Sequence, residues 1–368
     1  MGPSRFGRWR RSRSPTSKGG AYGIRYFPGC RSSSRSDQYA PSTGLAAMRR
    51  PSITVVMPAY NAERFIAESL NAVLSQTRPP DEVIVVDDGS TDSTLDELQR
   101  FCHETRIITQ SNAGAGGAYT RGFATASSQY VARCDADDVW EPTKLQRQVA
   151  TLCEHPSIDI AFSGAVNFGA ADLPAWEGIW EPPPDEGLLD PLRFARNMYR
   201  YCFICASTAI VRRSLFERLG GFVTHHPCED YDYWLRALKV GATFFYDPAI
   251  LVRYRRHSGS VTSDLLRMYR GTYQVHTWHT DLVEDRRLVR EVLAQDRYRI
   301  GQWLFENGHP RRARRAFMAS FRLGPAFREL GWAVALCAPE RHQRQIVERL
   351  TALKQGLVGV TAAPSLDL

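Results

Sequence analysis

Three acid-rich segments hold the residues of this 368-residue chain whose types and spacing could do chemistry. Asp87-Asp-Gly-Ser-Thr-Asp92 and Asp135-Ala-Asp-Asp138 each follow a short apolar run, and Glu229-Asp230 opens the helix-like stretch Tyr231–Leu238. Side chains at i and i+2 of an extended segment face the same way, so Asp135 and Asp137 can present to one ligand. Hard oxygen donors of this kind suit Mg²⁺ or Mn²⁺, and a carboxylate held near a hydroxyl could take its proton. Each acid also has a plainer use. Asp88 before Gly89 suits a turn, Asp138 could cap a helix starting near Glu141, and Asp230 could serve the helix it precedes as an N-terminal charge.

The flanking pattern says which elements must position these acids. Ile53-Thr-Val-Val-Met57 is an almost unbroken apolar run ended by Pro58, as in a strand covered on both faces. Ile66, Leu70, Val73 and Leu74 then form one helical stripe, stopped at Arg78-Pro-Pro80. The cycle repeats as a strand at Glu82–Val86, a helix from about Ser93, a strand at Arg106–Thr109, a glycine-rich turn at Gly114–Gly117, a helix through Ala126 and a strand at Tyr130–Cys134. Alternation at this spacing predicts parallel βαβ units. Ligands of such sheets bind beyond the carboxyl ends of the strands, where Pro58-Ala-Tyr-Asn61 and the first two acidic segments stand. A stable fold has no need of six carboxylates packed there.

At these loops the chain resembles family 2 glycosyltransferases of the GT-A fold. Ser52–Asn61, Val85–Asp92, Asp135–Trp140 and Glu229–Trp234 carry the resemblance, in the family's order over about 200 residues. It implies an inverting transfer from a nucleotide-sugar donor, most simply a UDP-sugar, with Mn²⁺ or Mg²⁺ on the departing diphosphate. It further implies Asp230 as catalytic base, Asp137 and His257 at the metal, and Asp135 toward the ribose or a metal-bound water. Asp88 would accept the uracil N3–H, with Pro58, Ala59, Tyr60, Glu63 and Ala136 completing the donor site. Glu229, Trp234, Arg255 and Arg256 are further candidates for diphosphate or acceptor contacts. The chain departs from its relatives at Ala118-Tyr119-Thr120, where many have Ala-Arg-Asn, so a frequent basic contact is missing.

Charge points away from nucleic acid. The formal net charge is +8, but residues 1–47 hold nine Lys/Arg against Asp37 alone, and the remainder is balanced at 38 of each sign. The leader has no apolar periodicity and reads as disordered through residue 50, with Met48 an alternative start. No stretch has the apolar length of a membrane span. The scattered cysteines read as buried free thiols, Cys202 and Cys205 included, which suits a cytoplasmic protein with at most peripheral contact at the inner membrane face. Trp176, Trp180, Tyr199 and Tyr201 could stack on acceptor sugars, though aromatic residues in such numbers more often fill a core.

The expected fold is thus α/β, a Rossmann-like GT-A domain over 51–264 with a mostly parallel central sheet. A helical C-terminal appendage follows over 265–355, and a flexible tail over 356–368. Within the appendage Tyr298–Pro325 reads as one helical hairpin resembling a tetratricopeptide unit, and Arg311, Arg312, Arg314 and Arg315 could meet anionic head groups beside a lipid-linked or other glycan acceptor. Two other classes compete: a nucleotidyltransferase, whose glycine- and base-rich first loop is missing at Pro58–Asn61, and a non-catalytic nucleotide-sugar-binding scaffold, which would have no chemical reason to retain Asp137 and Asp230.

Overall fold

The computed structural model describes residues 50–169, 180 and 182–323. The leader, Met48, Cys30, Trp176, Cys337 and the segments 324–355 and 356–368 lie outside the described residues.

The N-terminal half follows the expected alternation: β1 (Ile53–Ala59), α1 (Ile66–Leu74), β2 (Glu82–Asp87), α2 (Thr94–Gln99), β3 (Arg106–Thr109), α3 (Gly114–Thr125) and β4 (Tyr130–Arg133). Then come β5 (Val139–Trp140), α4 (Lys144–Glu154), β6 (Ile160–Gly169), β7 (Gly187–Leu188), α5 (Pro191–Met198), β8 (Ile210–Arg212), α6 (Arg213–Leu219), α7 (Glu229–Lys239) and β9 (Phe244–Arg256). Three helices complete the described chain: α8 (Leu265–Trp278), α9 (Arg286–Glu306) and α10 (Pro310–Leu323).

All the described strands join one sheet in the order β3-β2-β1-β4-β8-β6-β9-β5, with β7 also on β9. Pairings of β1 with β2 and β4, of β2 with β3 and of β6 with β9 are parallel, whereas β8, β5 and β7 run against their neighbours. The sheet is therefore mixed, with most strands running one way. The carboxyl ends of β1, β2, β4 and β9 consequently share one edge. Val55, Val56, Ile84, Val85, Val131 and Ala132 are fully buried, as expected for strands covered on both faces.

One expectation is corrected here. Gly114–Gly117 is not a turn ahead of the helix but the first turn of α3 itself. Its glycines are demanded by the loop before α7: Gly114 has φ +74° against the His225 backbone, and a Cβ on Gly116 would collide with the Val223 carbonyl. The C-terminal helices pack against the α/β unit. Val275 of α8 and Leu288, Val289, Val292 and Leu293 of α9 belong to the same core cluster as Tyr233, Trp234 and Phe244. Only the far end, where α9 and α10 form the expected hairpin around Tyr298, Leu304, Ala313 and Phe317, has a core of its own. Tyr199 is fully buried in the main core and Trp180 packs on Tyr254. Cys202 and Cys205 are free thiols, Cys205 buried. No helix among the described residues is long and apolar enough to cross a membrane.

The close approach at Gly116 makes a direct prediction. Gly116→Ala should lower stability by about 1–3 kcal/mol through overpacking, seen as a lower melting temperature, whereas Gly187→Ala, with nothing near its Cβ position, should cost only the strain of its backbone conformation.

Candidate active site

Hydrogen bonds between side chain and backbone stitch the loops after β1 and β2 together. Asn61, held at φ +49°, accepts from Thr91 N through Oδ1 (2.8 Å), and its own N–H donates to Ser90 Oγ (3.0 Å). Ala62 N donates to Thr94 Oγ1 (2.8 Å) and Ser93 N to Glu63 Oε2 (2.8 Å). Glu63 thus acts on the loop frame. Tyr60, between these anchors, is 51% exposed, an aromatic face left open at the sheet edge. Asp88 is buried, and its Oδ1 accepts from Gln110 Nε2 (2.7 Å) and Ala113 N (2.8 Å), which ties β2 to the start of α3.

The loop after β4 is held from several sides. Asp135 N donates to Ser207 Oγ (2.9 Å), and Asp135 Oδ1 accepts from Tyr119 OH (2.7 Å). The Ala136 carbonyl accepts from Ser69 Oγ of α1 (2.9 Å). Asp137 Oδ2 meets His257 Nε2 at 2.9 Å, so the residue after β9 and the residue after β4 are brought together across 120 positions of chain. Asp138 caps no helix: α4 begins at Lys144, and Asp138, fully buried, accepts from Arg255 N at Oδ1 (2.9 Å). Its Oδ2 has no partner among the described residues.

Beneath these acids lies a residue that the motifs do not single out. Arg133, the last residue of β4, is fully buried, with its guanidinium 3.8 Å from the Tyr119 ring centroid and 4.8 Å from that of Phe222. Its Nη2 donates to Glu229 Oε1 at 2.9 Å, while Nε and Nη1 have no hydrogen-bond partner among the described residues. The signal was present in the sequence as a lone cation ending the otherwise apolar run Tyr130-Val-Ala, two positions before Asp135.

Asp230 stands on the first turn of α7, half-buried, and accepts from Tyr231 N (2.7 Å). Burial and then the neighbouring Glu229 charge push its carboxyl up to about 7, against the pull of Arg133, and Asp135 adds to the rise. Asp135 is itself pushed up to about 6 by burial, opposed by Arg133 and reinforced by Asp137. Burial, then Asp137 and Asp135, drive Asp138 well above the usual carboxylate range. The acids after β4 and the acid opening α7 are therefore electrostatic neighbours around one cation.

Other candidates are placed elsewhere. Glu229 is buried and spends its charge on Arg133, and Trp234 is fully buried beneath the same guanidinium, so both support the edge from below. Arg255 donates from Nε to the Asp137 carbonyl (2.7 Å) and pairs with Glu68 on α1, so its guanidinium braces the loop. Arg256 is in register with Gly169 of β6, one residue before His257. Asp232 points away from Asp230, toward His279 and Arg236.

Among the described residues no group of three or more His, Cys, Asp or Glu is arranged as a metal site. Asp137 and His257 nevertheless make a donor pair of the right chemistry for a cation shared with a ligand, since Mg²⁺-type ions are commonly held by one or two protein groups plus substrate phosphates.

A largely parallel half-sheet with its loops gathered at one edge, an open aromatic face and a carboxylate cluster is the architecture of an α/β transferase. The family model described as Glycosyl transferase family 2 matches residues 54–220. The chain is 30% identical over 234 residues to TuaG of Bacillus subtilis, a putative teichuronic acid biosynthesis glycosyltransferase, covering 62% of this chain and 88% of that one. It is 29% identical over 215 residues to WfaP of Escherichia coli, a UDP-Glc:alpha-D-GlcNAc-diphosphoundecaprenol beta-1,3-glucosyltransferase, covering 58% and 80%. Among solved structures, S. aureus TarS 1–349 in complex with UDP-GlcNAc has the same fold, with a TM-score of 0.57 at 19% identity over 83% of this chain and 92% of that one. The chain belongs to glycosyltransferase family 2.

The raised Asp230 carboxyl carries a cost to stability. Its folded value of about 7 lies above the ordinary 3.8, so what it contributes is full below the lower figure and lost as pH rises through the higher one. Asp230→Asn escapes that loss. Its melting temperature should exceed that of the wild type by more at about pH 8 than at about pH 4, as read by scanning calorimetry at both.

Proposed function

We propose that the chain transfers a sugar from a UDP-sugar to a hydroxyl of a glycan or lipid-linked acceptor with inversion, Asp230 acting as general base. The observation that carries this reading is that Asp135 and the start of α7 meet at the buried Arg133: Tyr119 bonds Asp135 while its ring lies 3.8 Å from the guanidinium, which pairs with Glu229 directly before Asp230. In the proposed reaction the acceptor O–H proton passes to the Asp230 carboxylate. The acceptor oxygen bonds to the anomeric carbon as the bond to the diphosphate oxygen opposite it breaks, and UDP departs. A base that titrates near 7 is matched to proton transfer near neutrality.

Asp88 would accept from the uracil, its Oδ1 being already committed and Oδ2 left for the base, while Tyr60 flanks the ring and Asp135 faces the ribose. Asp137 and His257 would hold a divalent cation, which when bound supplies positive charge to the leaving diphosphate. Residues 51–264 form the transferase unit in this reading. The UDP-sugars in the names of WfaP and the TarS complex support a uridine donor.

Asp230→Asn should abolish turnover while leaving UDP affinity in Mn²⁺ within about two-fold; persistence of turnover would remove the base assignment. Activity of the wild type as kcat/KM should fall as pH drops below about 7, because only the ionised base accepts a proton. Asp137→Ala should weaken UDP binding at least ten-fold, roughly, in Mn²⁺ and little in EDTA, measured by calorimetry.

A lipid-linked acceptor is favoured over a soluble one by the diphosphoundecaprenol in the WfaP name and by the charge of α8–α10. Residues 265–323 hold twelve arginines against six acids. Arg311, Arg312, Arg314 and Arg315 are exposed on α10, whose apolar face is already spent on α9. Such a face suits electrostatic contact with an anionic membrane and not insertion. The protein should co-sediment with phosphatidylglycerol vesicles but not phosphatidylcholine vesicles at low salt, and changing these four arginines to Gln should lower partitioning by roughly ten-fold or more.

A further inference from the structure

Behind Asp230 the catalytic helix is gripped by His276 of α8 and His279 at its C-cap, which no site role accounts for. Tyr231 OH lies 2.8 Å from His276 Nε2 and also donates to the Met198 carbonyl. His276 Nδ1 lies 2.6 Å from Asp296 Oδ2 on α9. One position further along α7, Asp232 Oδ1 lies 2.9 Å from His279 Nε2, and Asp232 Oδ2 accepts from Arg236. Tyr231, Asp232, His276, His279 and Asp296 are all buried.

Proton bookkeeping gives this network a direction. The Tyr231 phenol has one proton, and the Met198 carbonyl can only accept it, so the Tyr231 oxygen accepts from His276 Nε2–H. On the other side of the ring Nδ1 pairs with Asp296, so the imidazole bridges α7 to α9. Asp232 likewise accepts from His279 Nε2–H, while His279 Nδ1 is buried without a partner among the described residues. Water is excluded from both bonds, so neither can be exchanged for solvent without a penalty. The loop entering α7 presses on α8 as well: Gly271 leaves room for Pro227, which a Cβ would approach to 2.6 Å, and Cys228 Sγ lies 3.7 Å from Thr272 Oγ1.

Successive residues of an α-helix are turned by about 100°. Asp230, Tyr231 and Asp232 therefore leave α7 in three directions, and anchoring the second and third fixes the first. We propose that His276 and His279 are positioning residues of the transferase: through Tyr231 and Asp232 they set the rotation and depth of the first turn of α7, and hence the place of the Asp230 carboxylate. This rests on Asp230 being the base. It assigns to the helices after β9 a part in the reaction, although none of their described side chains stands in the donor site.

The test uses the full chain with Tyr231→Phe, His279→Leu and His279→Gln beside Asp230→Asn. Turnover is read as UDP release from whichever of UDP-glucose, UDP-galactose and UDP-N-acetylglucosamine the wild type consumes, and UDP affinity in Mn²⁺ is read by calorimetry. Tyr231→Phe keeps the ring and removes the hydroxyl; His279→Gln keeps a donor for Asp232. Tyr231→Phe and His279→Leu should lower kcat by about ten-fold or more, as small displacements of a catalytic group do, with KM for the donor and UDP affinity within about two-fold. His279→Gln should retain at least about half of the wild-type kcat. Unchanged kcat in folded Tyr231→Phe overturns the proposal, as does loss of UDP affinity in step with kcat, which would mark general destabilisation. If His279→Leu does not fold, Tyr231→Phe and His279→Gln decide alone. Survival of turnover in Asp230→Asn is a separate outcome and removes the base itself.

Discussion

A guanidinium buried in the sheet is the constraint on which the candidate-site edge depends. Arg133 is fully buried between β1 and β8, and an unpaired charge at that depth would be prohibitive. Its compensation comes from elements far apart in the chain: Glu229 from α7 by a direct ion pair, the Tyr119 ring from α3, and the fields of Asp135 and Asp230. The stabilisation is mutual. Arg133 pins the start of α7 to the end of β4, so the acids of both elements must share one edge. It also opposes the upward drift of Asp135 and Asp230 that burial and mutual repulsion impose. A buried ion pair is weak evidence for stability; here it works as a registry device between a strand and a helix that no local contact would align.

Such an arrangement is held against its own electrostatics. Three carboxylates within four residues, one of them fully buried, repel one another, and the titration of Asp135 and Asp138 is displaced upward accordingly. The counterweight is a rigid frame. Asn61 in a left-handed conformation, the bonds from Ala62 and Ser93, and the Ser69 to Ala136 bond leave the loops little freedom to relax away from the strain. Glycines at 114 and 116 let the loop before α7 approach α3 closely enough to complete the edge. Sites of this kind trade folding free energy for function.

The parts of this design that were legible in the sequence are those written locally. The alternation from β1 to β4 follows from apolar runs and one helical stripe, and the acid loops follow from where those runs end. The α9–α10 hairpin could be read from Leu304, Gly308, Ala313 and Phe317. What was not legible is long-range. The second half of the sheet mixes directions, and β6 against β9 changes register around Ser163 to Ala165, which blurs any simple period. Arg255 is a candidate for diphosphate contact by sequence, and nothing local reveals its pairing with Glu68, 187 residues away. Arg133 reads as an interruption of a strand until Glu229 is placed against it. Tyr119, marked as a departure from Ala-Arg-Asn, proves to be the support of that same arginine and the donor to Asp135.

The same asymmetry bears on where one working unit ends. Divided by sequence pattern, the chain breaks where strands give way to helices, near Asp264. Divided by packing, it does not: Val275 and Leu288 are buried in the cluster that holds Trp234 and Phe244, and Tyr199 OH bonds the His276 carbonyl at 2.9 Å. The ligand loops on one side of the edge are held by α1, α2 and α3, whereas α7 on the other side is held by α8 and α9. The two halves of the edge thus have different supports and meet at Arg133. A change in the C-terminal helices would be transmitted to the Asp230 side first, because the loops after β1 and β2 have their own frame.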